Sequence, residues 1–262
     1  MSWGAWSKEF LRRLGWPAWP RSYLAIDTET TGLEPQLDLA YEIGTQLVVA
    51  GRPVQRARLL LDWTREEQVD LGWLKRRIAL LEIEFGRQGR LQRPVLALMA
   101  KGRPAREVLG EVRELLRDLR KRDLPLLGHN LFFDLGFLGS HFARDLGEKL
   151  SFEGWTLLDT GLLEKASQQH PNPRAWPQPG EDSYRYFQRM RGWRVKGKWS
   201  LGGACLPKYH LEKRGVERAK LHRADYDAWA THVLYEAMTT QPATARPLAG
   251  TARQRYRGQR IR

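Results

Sequence analysis

Cysteine is almost absent from this sequence, which has a single cysteine, Cys205, in 262 residues. One cysteine can form neither an intramolecular disulfide nor a zinc site built from several cysteines. We therefore expect Cys205 to be a small buried hydrophobic side chain.

Long apolar runs are also absent, because no stretch reaches the roughly 18 consecutive apolar residues that a membrane-spanning helix needs. Near the N-terminus, Lys8, Glu9, Arg12 and Arg13 interrupt the apolar residues, and no small-residue cleavage site follows them. This segment does not resemble a signal peptide. We expect a cytoplasmic protein with no membrane partner, whose length suits one sizeable domain with extensions.

Acidic residues are too few to balance the basic ones: 30 Asp and Glu stand against 44 Lys and Arg, a formal net charge of +14. Most of the excess is arginine, whose planar guanidinium suits phosphate oxygens and can stack on bases. A genome of high GC content would favour arginine over lysine, but it would not explain the excess of positive charge. The charge therefore indicates a polyanionic partner, most often nucleic acid.

The composition divides the chain into three parts. We predict a Trp-rich basic extension over residues 1–21, a domain over residues 22–240, and a disordered arginine-rich tail over residues 241–262. A short helix around residues 8–14 is expected to pack on the domain. Residues 167–198, rich in Pro, Arg, Trp and Gln, are interpreted as a long loop or insertion within it.

The spacing of apolar residues in the domain predicts a first group of consecutive strands. After this group, strands and helices alternate along the chain. Strands are predicted at residues 23–26, 41–49, 56–61, 124–127 and 157–159, with a turn at residues 51–53. Helices are predicted at residues 66–85, 106–119, 200–209 and 223–238, and from Asn130, as a helix cap, to residue 142. This order indicates an α/β fold, a mixed β-sheet flanked by α-helices on both faces.

A pair of acids ends the first predicted strand, where residues 25–33 read AIDTETTGL. Asp27 and Glu29 are two residues apart, so on a strand their side chains point to the same face. Two neighbouring carboxylates repel each other unless a cation lies between them, and a hard divalent metal ion is such a cation. The alternative is an acidic strand end on the surface.

The second acidic motif is a single Asp in an apolar predicted helix, where residues 127–138 read LGHNLFFDLGFL. Asp134 is surrounded by leucine and phenylalanine residues that should seek the core. An Asp in such a place is rarely buried unless it is paired or bound to a metal ion. The alternative is an Asp on the solvent face of an amphipathic helix.

A histidine and a third acidic motif follow near the last helix, where residues 222–231 read HRADYDAWAT. His222 precedes the helix and could reach a metal ion held by Asp227, and imidazole is the side chain best suited to accept a proton near neutral pH. His222 could otherwise be an ordinary surface histidine. Asp225 can cap the first turn and need not bind metal.

In this order, the three motifs resemble those of the DnaQ-like (DEDDh) 3′–5′ exonucleases, such as the exonuclease domain of DNA polymerase III epsilon. The patterns are D-x-E-x-T-G-L, H-N-x-x-F-D-x-x-F-L and H-R-A-x-x-D-A, and residues 200–209 (SLGGACLPKY) are similar to the stretch that introduces the third motif. The resemblance runs from residue 23 to about residue 235. It implies a ribonuclease H-like fold.

The resemblance also implies the site and its chemistry. Two Mg²⁺ or Mn²⁺ ions would be bound by four carboxylates and would clamp the attacking and leaving oxygens of the reaction, which releases nucleoside 5′-monophosphates. His222 would be the general base. The implied metal ligands are Asp27, Glu29, Asp134 and Asp227, and the implied substrate contacts are Thr28, Thr30, Leu33 and Asn130.

The nature of the substrate and the partners is less constrained by the sequence. DNA is the expected substrate, and an RNA-trimming exonuclease of the same fold or a catalytically silent nucleic-acid-binding module are the alternatives. Residues 193–199 interleave aromatic and cationic side chains that could stack on bases or serve as a structural loop. Residues 68–71 faintly resemble a sliding-clamp-binding peptide, and a proofreading role would require a polymerase partner.

Overall fold

A computed structural model describes residues 3–87, 94–193 and 200–240. The chain forms a six-stranded mixed sheet in the order β4-β3-β2-β1-β5-β6. The strands are β1 (Tyr23–Thr30), β2 (Ala40–Val49), β3 (Arg52–Asp62), β4 (Arg103–Pro104), β5 (Leu126–Gly128) and β6 (Leu157–Asp159). Strands β1, β2 and β3 form an antiparallel meander, whereas β5 and β6 run parallel to β1, and β4 runs parallel to β3.

Helices cover both faces of this sheet. They are α1 (Trp3–Leu14), α2 (Leu71–Arg87), α3 (Val95–Met99), α4 (Ala105–Lys121), α5 (Leu131–Asp145), α6 (Thr160–Gln168), α7 (Ser183–Gly192), α8 (Leu206–Lys208) and α9 (Ala224–Thr240). On β1, Tyr23 bonds to His232 of α9 at 2.8 Å, whereas the Thr28 hydroxyl bonds to Asp134 of α5. Residues an odd number apart on a strand face opposite sides, so α9 and α5 lie on opposite faces. The predicted fold class is confirmed.

Most predicted elements are present at nearly the predicted positions. Strand β1 extends beyond its apolar residues to include the acidic motif, and the short strand at residues 157–159 is the edge strand β6. Residues 200–209 are helical, as a π-helical turn (Leu201–Cys205) that continues into α8, and Cys205 is fully buried there. In the described part of the chain, no helix combines the length and apolarity needed to cross a membrane.

Two predicted boundaries are wrong. The turn predicted at residues 51–53 lies at Ala50 and Gly51, which have φ angles of 51° and 78°, and β3 already includes Arg52. The helix predicted from residue 66 begins only at Leu71, because Asp70 accepts hydrogen bonds from the first amides of α2. In both places a local turn or cap determined the boundary more strongly than the apolar pattern.

Residues 167–198 are interpreted from the sequence as a long loop or insertion, and the loop interpretation is wrong for residues 183–192, which form α7. Asp182 caps this helix by accepting a hydrogen bond from the Arg185 amide at 2.8 Å. The N-terminal helix α1 packs against the same segment, since the ring of Phe10 meets that of Tyr186 at 5.1 Å and both side chains are fully buried. The predicted tail at residues 241–262 and the run after Trp193 lie outside the described residues.

Candidate active site

The first pair of predicted site residues lies on β1, next to the centre of the sheet. Asp27 and Glu29 are half-buried and share the face of β1 that packs against α9. On the neighbouring strand β2, Gly44 lies opposite Asp27 and Glu42 lies opposite Glu29. Because β1 and β2 are antiparallel, these four residues form a patch on one face of the sheet.

Asp134 approaches β1 from α5. Its Oδ1 atom accepts hydrogen bonds from the Thr28 amide at 2.8 Å and from the Thr28 hydroxyl at 2.7 Å. The side chain of Asp134 is only 2% exposed. The structure therefore excludes the alternative of a solvent-facing Asp on this helix, and Thr28 contributes to the site by orienting Asp134.

The start of α5 is held differently from the prediction. The Asn130 side chain makes no capping hydrogen bond, and its backbone is left-handed with a φ of 67°. Instead, Asp159 at the end of β6 accepts hydrogen bonds from the amides of Asn130 at 3.1 Å and Leu131 at 2.9 Å. Asn130 therefore occupies the cap position of α5, as predicted, but the prediction that it caps the helix is wrong, since its side chain makes no such bond and is exposed to solvent.

His222 and Asp227 bring the third motif to this patch. His222 has a φ of 68°, and its amide donates a hydrogen bond to Oδ2 of Asp227 at 3.0 Å. One ligand atom each from Glu29, His222 and Asp227 lies within 4.8 Å of the others. The structure thus brings together residues of β1 and α9 that are almost 200 positions apart in the sequence.

Gly44 and Glu42 position the first turn of α9 over the sheet. A Cβ atom on Gly44 would lie only 2.0 Å from the carbonyl carbon of Ala224, so the helix backbone rests directly on this glycine. Glu42 is 1% exposed, accepts a hydrogen bond from the Ala224 amide at 2.9 Å, and forms a bidentate ion pair with Arg58. A carboxylate is costly to bury, and these hydrogen bonds and the opposite charge offset that cost.

Sequence reasoning missed both Glu42 and Gly44 as parts of the site. The available signals were a glutamate and a glycine inside a largely apolar strand, where a glycine often marks the close approach of another backbone.

Asp225 belongs to an arginine network rather than to the group of candidate ligands. It accepts a hydrogen bond from Arg223 at 2.7 Å and forms an ion pair with Arg56 at 2.6 Å. The expectation that Asp225 need not bind metal agrees with this arrangement. Two acids of the same helix, Asp225 and Asp227, therefore have different surroundings.

The electrostatics of the site favour binding of a cation. Burial, followed by the charges of neighbouring acids, raises the pKa values of Asp27 and Glu29 well above their ordinary range. Burial raises the pKa of Asp134 to about 7 even though Thr28 donates hydrogen bonds to it. Burial also raises the pKa of Asp227 to about 7, with Glu42 contributing. Each pKa rises because burial and like charges destabilise the ionised form.

The donor set fits a divalent metal ion. Oδ1 of Asp227 is buried and has no hydrogen-bond partner among the described residues. A buried carboxylate oxygen without a partner is costly in free energy, and coordination to a cation would remove that cost. Carboxylate oxygens with one imidazole are ligands that Mg²⁺ and Mn²⁺ accept.

The turn after β1 presents an exposed apolar side chain, that of Leu33. The Thr30 hydroxyl donates a hydrogen bond to the Gly32 carbonyl at 2.6 Å, and the Thr31 amide donates to the Leu39 carbonyl at 2.8 Å. With the turn fixed in this way, Leu33 is held 78% exposed. Thr30 itself is buried, so its hydroxyl serves the turn.

The sheet order and the helices on both faces define a ribonuclease H-like fold. An exonuclease I structure that was interpreted in terms of processivity has a TM-score of 0.53 to this chain and is 16% identical to it over 85% of this chain. A zinc-bound complex of E. coli exonuclease I with single-stranded DNA has a TM-score of 0.52 and is 18% identical over 84% of this chain. E. coli exonuclease I with a dT13 oligonucleotide has a TM-score of 0.53 and is 16% identical over 84% of this chain.

These similarities concern the fold. The matched region is 41%, 40% and 41% of the three exonuclease I chains, so this protein spans about two fifths of their length. No protein-family model and no curated protein matches the sequence.

Proposed function

We propose that this protein is a 3′–5′ exonuclease that hydrolyses DNA from its free 3′ end and releases nucleoside 5′-monophosphates. The observation that carries the proposal is the convergence of Asp27, Glu29, Asp134 and Asp227, among which one buried oxygen has no hydrogen-bond partner in the described part of the chain. The order of the three motifs and the exonuclease I-like fold support the same reaction.

Two Mg²⁺ or Mn²⁺ ions are the proposed cofactors, and the four carboxylates are their proposed ligands. When bound, such ions activate a water molecule and stabilise the charge on the departing 3′ oxygen. The chain prepares the site for them by orienting its carboxylates: Thr28 fixes Asp134, and the His222 amide fixes Asp227.

His222 is the proposed general base. Its ring is exposed, and one ring nitrogen lies within 4.8 Å of a carboxylate oxygen of both Glu29 and Asp227. An imidazole in this position can accept the proton that the attacking water loses. The left-handed backbone of His222 directs its amide to Asp227, so the same residue helps to position a ligand and bears the base.

The terminal nucleotide is proposed to lie along the end of β1. Its base would pack on Leu33, which the fixed turn holds out in solvent, and the backbone of residues 28–32 would follow the sugar. Asn130 is exposed at the start of α5 and is proposed to contact the strand. DNA is preferred to RNA in this proposal because the exonuclease I structures of similar fold hold DNA.

Degradation of 5′-labelled oligonucleotides tests the proposal. Matched DNA and RNA, single- and double-stranded, are incubated with Mg²⁺, with Mn²⁺ or with EDTA. We expect a metal-dependent ladder that shortens from the 3′ end, and faster degradation of DNA. Faster degradation of RNA would replace the proposed substrate, and intact oligonucleotides with folded protein under every condition would contradict the proposed activity.

Three variants separate the proposed roles in the same assay. Asp27→Asn should abolish degradation while the protein stays folded, and His222→Ala should lower the rate by roughly 100- to 10,000-fold, the usual contribution of a general base. Asp225→Asn is the matched control, since it removes the same charge as Asp27→Asn but from a side chain of α9 that is bound to Arg223 and Arg56. Wild-type activity in Asp27→Asn would contradict the proposed ligands.

Metal binding is measured separately from activity by calorimetric titration with Mn²⁺. We expect two ions per chain for the wild type and weaker binding for Asp27→Asn. Asp225→Asn should bind Mn²⁺ like the wild type. A titration that reports no Mn²⁺ binding to the folded wild type would contradict the proposed cofactors.

A further inference from the structure

The exposed side of α7 carries a row of side chains that are suited to nucleic acid. Tyr184, Gln188 and Arg191 are four and then three residues apart, so they lie along one side of the helix. Tyr184 is half-buried, and Gln188 and Arg191 are exposed. We call these three residues the α7 row. It contains an aromatic ring, an amide and a guanidinium, and no acid.

The position of α7 is fixed by contacts on its other side. Phe187 and Met190 are fully buried. The ammonium of Lys165, on α6, donates hydrogen bonds to the carbonyls of Met190, at 2.6 Å, and Trp193. At the other end of α7, the Ser183 hydroxyl accepts a hydrogen bond from the Leu157 amide of β6 at 3.0 Å. A row on a helix held in this way loses little conformational entropy when it binds a partner.

The α7 row adjoins the helix that carries Asp134. The ring centroid of Tyr184 is 5.9 Å from that of Phe132, and the guanidinium of Arg191 lies 5.8 Å from the Phe132 ring centroid. Phe132 is in the first turn of α5, two residues before Asp134 and two after the exposed Asn130. The row therefore lies against the first turn of the helix that carries Asp134.

Arg191 differs from the other arginines of α7 in its surroundings. Arg189 forms a bidentate ion pair with Glu181, and Arg185 has carboxylates of Glu153 and Asp182 within 4.0 Å. Arg191, by contrast, has no carboxylate partner in the part of the chain that the structure describes. An exposed guanidinium that no acid neutralises is available to a phosphate group.

We propose that the α7 row binds the DNA strand upstream of its 3′-terminal nucleotide, with Arg191 on a backbone phosphate and the Tyr184 ring against a base. The orientation of the strand rests on the proposed function, whereas the binding surface itself does not. A single strand is the occupant that fits, because bases that can stack and phosphates that need a cation recur along it.

The test is binding of fluorescently labelled single-stranded oligothymidylate in EDTA, measured by anisotropy at several salt concentrations. Arg191→Ala should weaken binding by about ten-fold and should lower the slope of log affinity against log salt by about 0.7, the value for one phosphate contact to a single strand. Tyr184→Ala should weaken binding by about ten-fold without changing that slope, because stacking involves no counterion release.

Arg122→Ala is the matched control. Arg122 is also an exposed arginine, but it follows α4 at the opposite end of β5 from Asn130, and it pairs with Asp118 at 3.0 Å. This variant should bind like the wild type. Binding of Arg191→Ala and Tyr184→Ala within about two-fold of the wild type, with an unchanged salt slope, would overturn the proposed surface.

A small chromogenic substrate separates this inference from the proposed function. Thymidine 5′-monophosphate p-nitrophenyl ester contains one nucleotide and does not extend to α7. Arg191→Ala should hydrolyse it with Mn²⁺ at the wild-type rate but degrade oligothymidylate with a higher KM. Equal loss on both substrates would overturn the inference, and a wild type that cleaves neither substrate, yet binds oligothymidylate through Arg191, would overturn only the proposed function.

Discussion

A methyl group added at Gly44 is the smallest change that we expect to separate the two halves of the candidate site. A Cβ atom there would lie 2.0 Å from the Ala224 carbonyl carbon and 2.1 Å from the Asp225 nitrogen. Carbon atoms in contact are ordinarily about 3.5 Å apart or more, so the start of α9 would have to move by about 1.5 Å. The neighbouring atoms are backbone atoms, which cannot simply rotate away.

Movement of α9 would carry Asp227 and His222 away from Glu29. A misplacement of about 1 Å can cost an enzyme roughly 100-fold in rate, and we expect a loss of that size in kcat for Gly44→Ala. Overpacking of this kind also lowers the free energy of unfolding by about 1–3 kcal/mol. The variant should therefore fold, with a reduced melting temperature and little activity.

Thermal unfolding and nucleotide release from oligothymidylate measure the two effects. Gly139→Ala in α5 is the matched control, since an added Cβ there meets no atom within 4 Å. Alanine is the better helix former by about 0.5–1 kcal/mol, so this variant should be slightly more stable and fully active. Gly44→Ala with wild-type activity and stability would refute the argument that α9 rests on this glycine.

Three further predictions follow from the charges around the site. Glu42→Gln removes the bidentate ion pair with Arg58 and should lower the free energy of unfolding by about 1–3 kcal/mol, and an unchanged urea midpoint would contradict this. In EDTA the free energy of unfolding of the wild type should fall relative to that of Asp227→Asn as the pH rises from about 4 through 7, because folded Asp227 retains a proton that the unfolded chain releases, and Mn²⁺ should offset this relative loss. A difference between the two proteins that is independent of pH over this range would contradict the raised pKa of Asp227. Asp227→Asn should be more stable than the wild type in EDTA at pH 8 yet inactive, and lower stability in urea unfolding would count against like-charge repulsion at this site.

The residues of the site could be named from the sequence because each motif has a local pattern. Two acids separated by one residue share a face of any strand, and β1 has that geometry for Asp27 and Glu29. The apolar residues around Asp134 left a buried and a solvent-facing position open, and the structure shows that it is buried. That these motifs meet was implied only by the family resemblance, because no local pattern joins residues of β1 to residues of α9.

The supporting contacts could not be predicted in the same way. The role of Gly44 depends on Ala224, and that of Glu42 depends on the same helix turn, 182 residues later in the chain. Asparagine is a residue type that often caps helices. At the start of α5, however, the two carboxylate oxygens of Asp159, on the neighbouring strand β6, accept the hydrogen bonds of the Asn130 and Leu131 amides. The charged Asp159 therefore outweighs the local preference of asparagine for capping a helix.

Helix α7 was missed for a related reason. The composition of residues 167–198 suits a loop, and the helix has few apolar side chains of its own. Its buried side is completed by another part of the chain, since Phe10 of α1 packs against Tyr186. Its start depends on the single cap at Asp182. Such a helix is stabilised by tertiary packing rather than by its own propensity.

The distribution of arginine partners is the strongest physical indication that the site binds a cation. The chain has 44 basic residues, and Glu42 and Asp225, both adjacent to the site, form ion pairs with arginine. Within the described residues, the four candidate ligands form no ion pair with arginine or lysine, although burial and mutual repulsion make their charges costly. Buried charges without partners are costly, and such a cost is commonly retained at functional sites. Of these six acids, the four that have no arginine or lysine partner within the described residues are those whose charges a bound metal ion would balance.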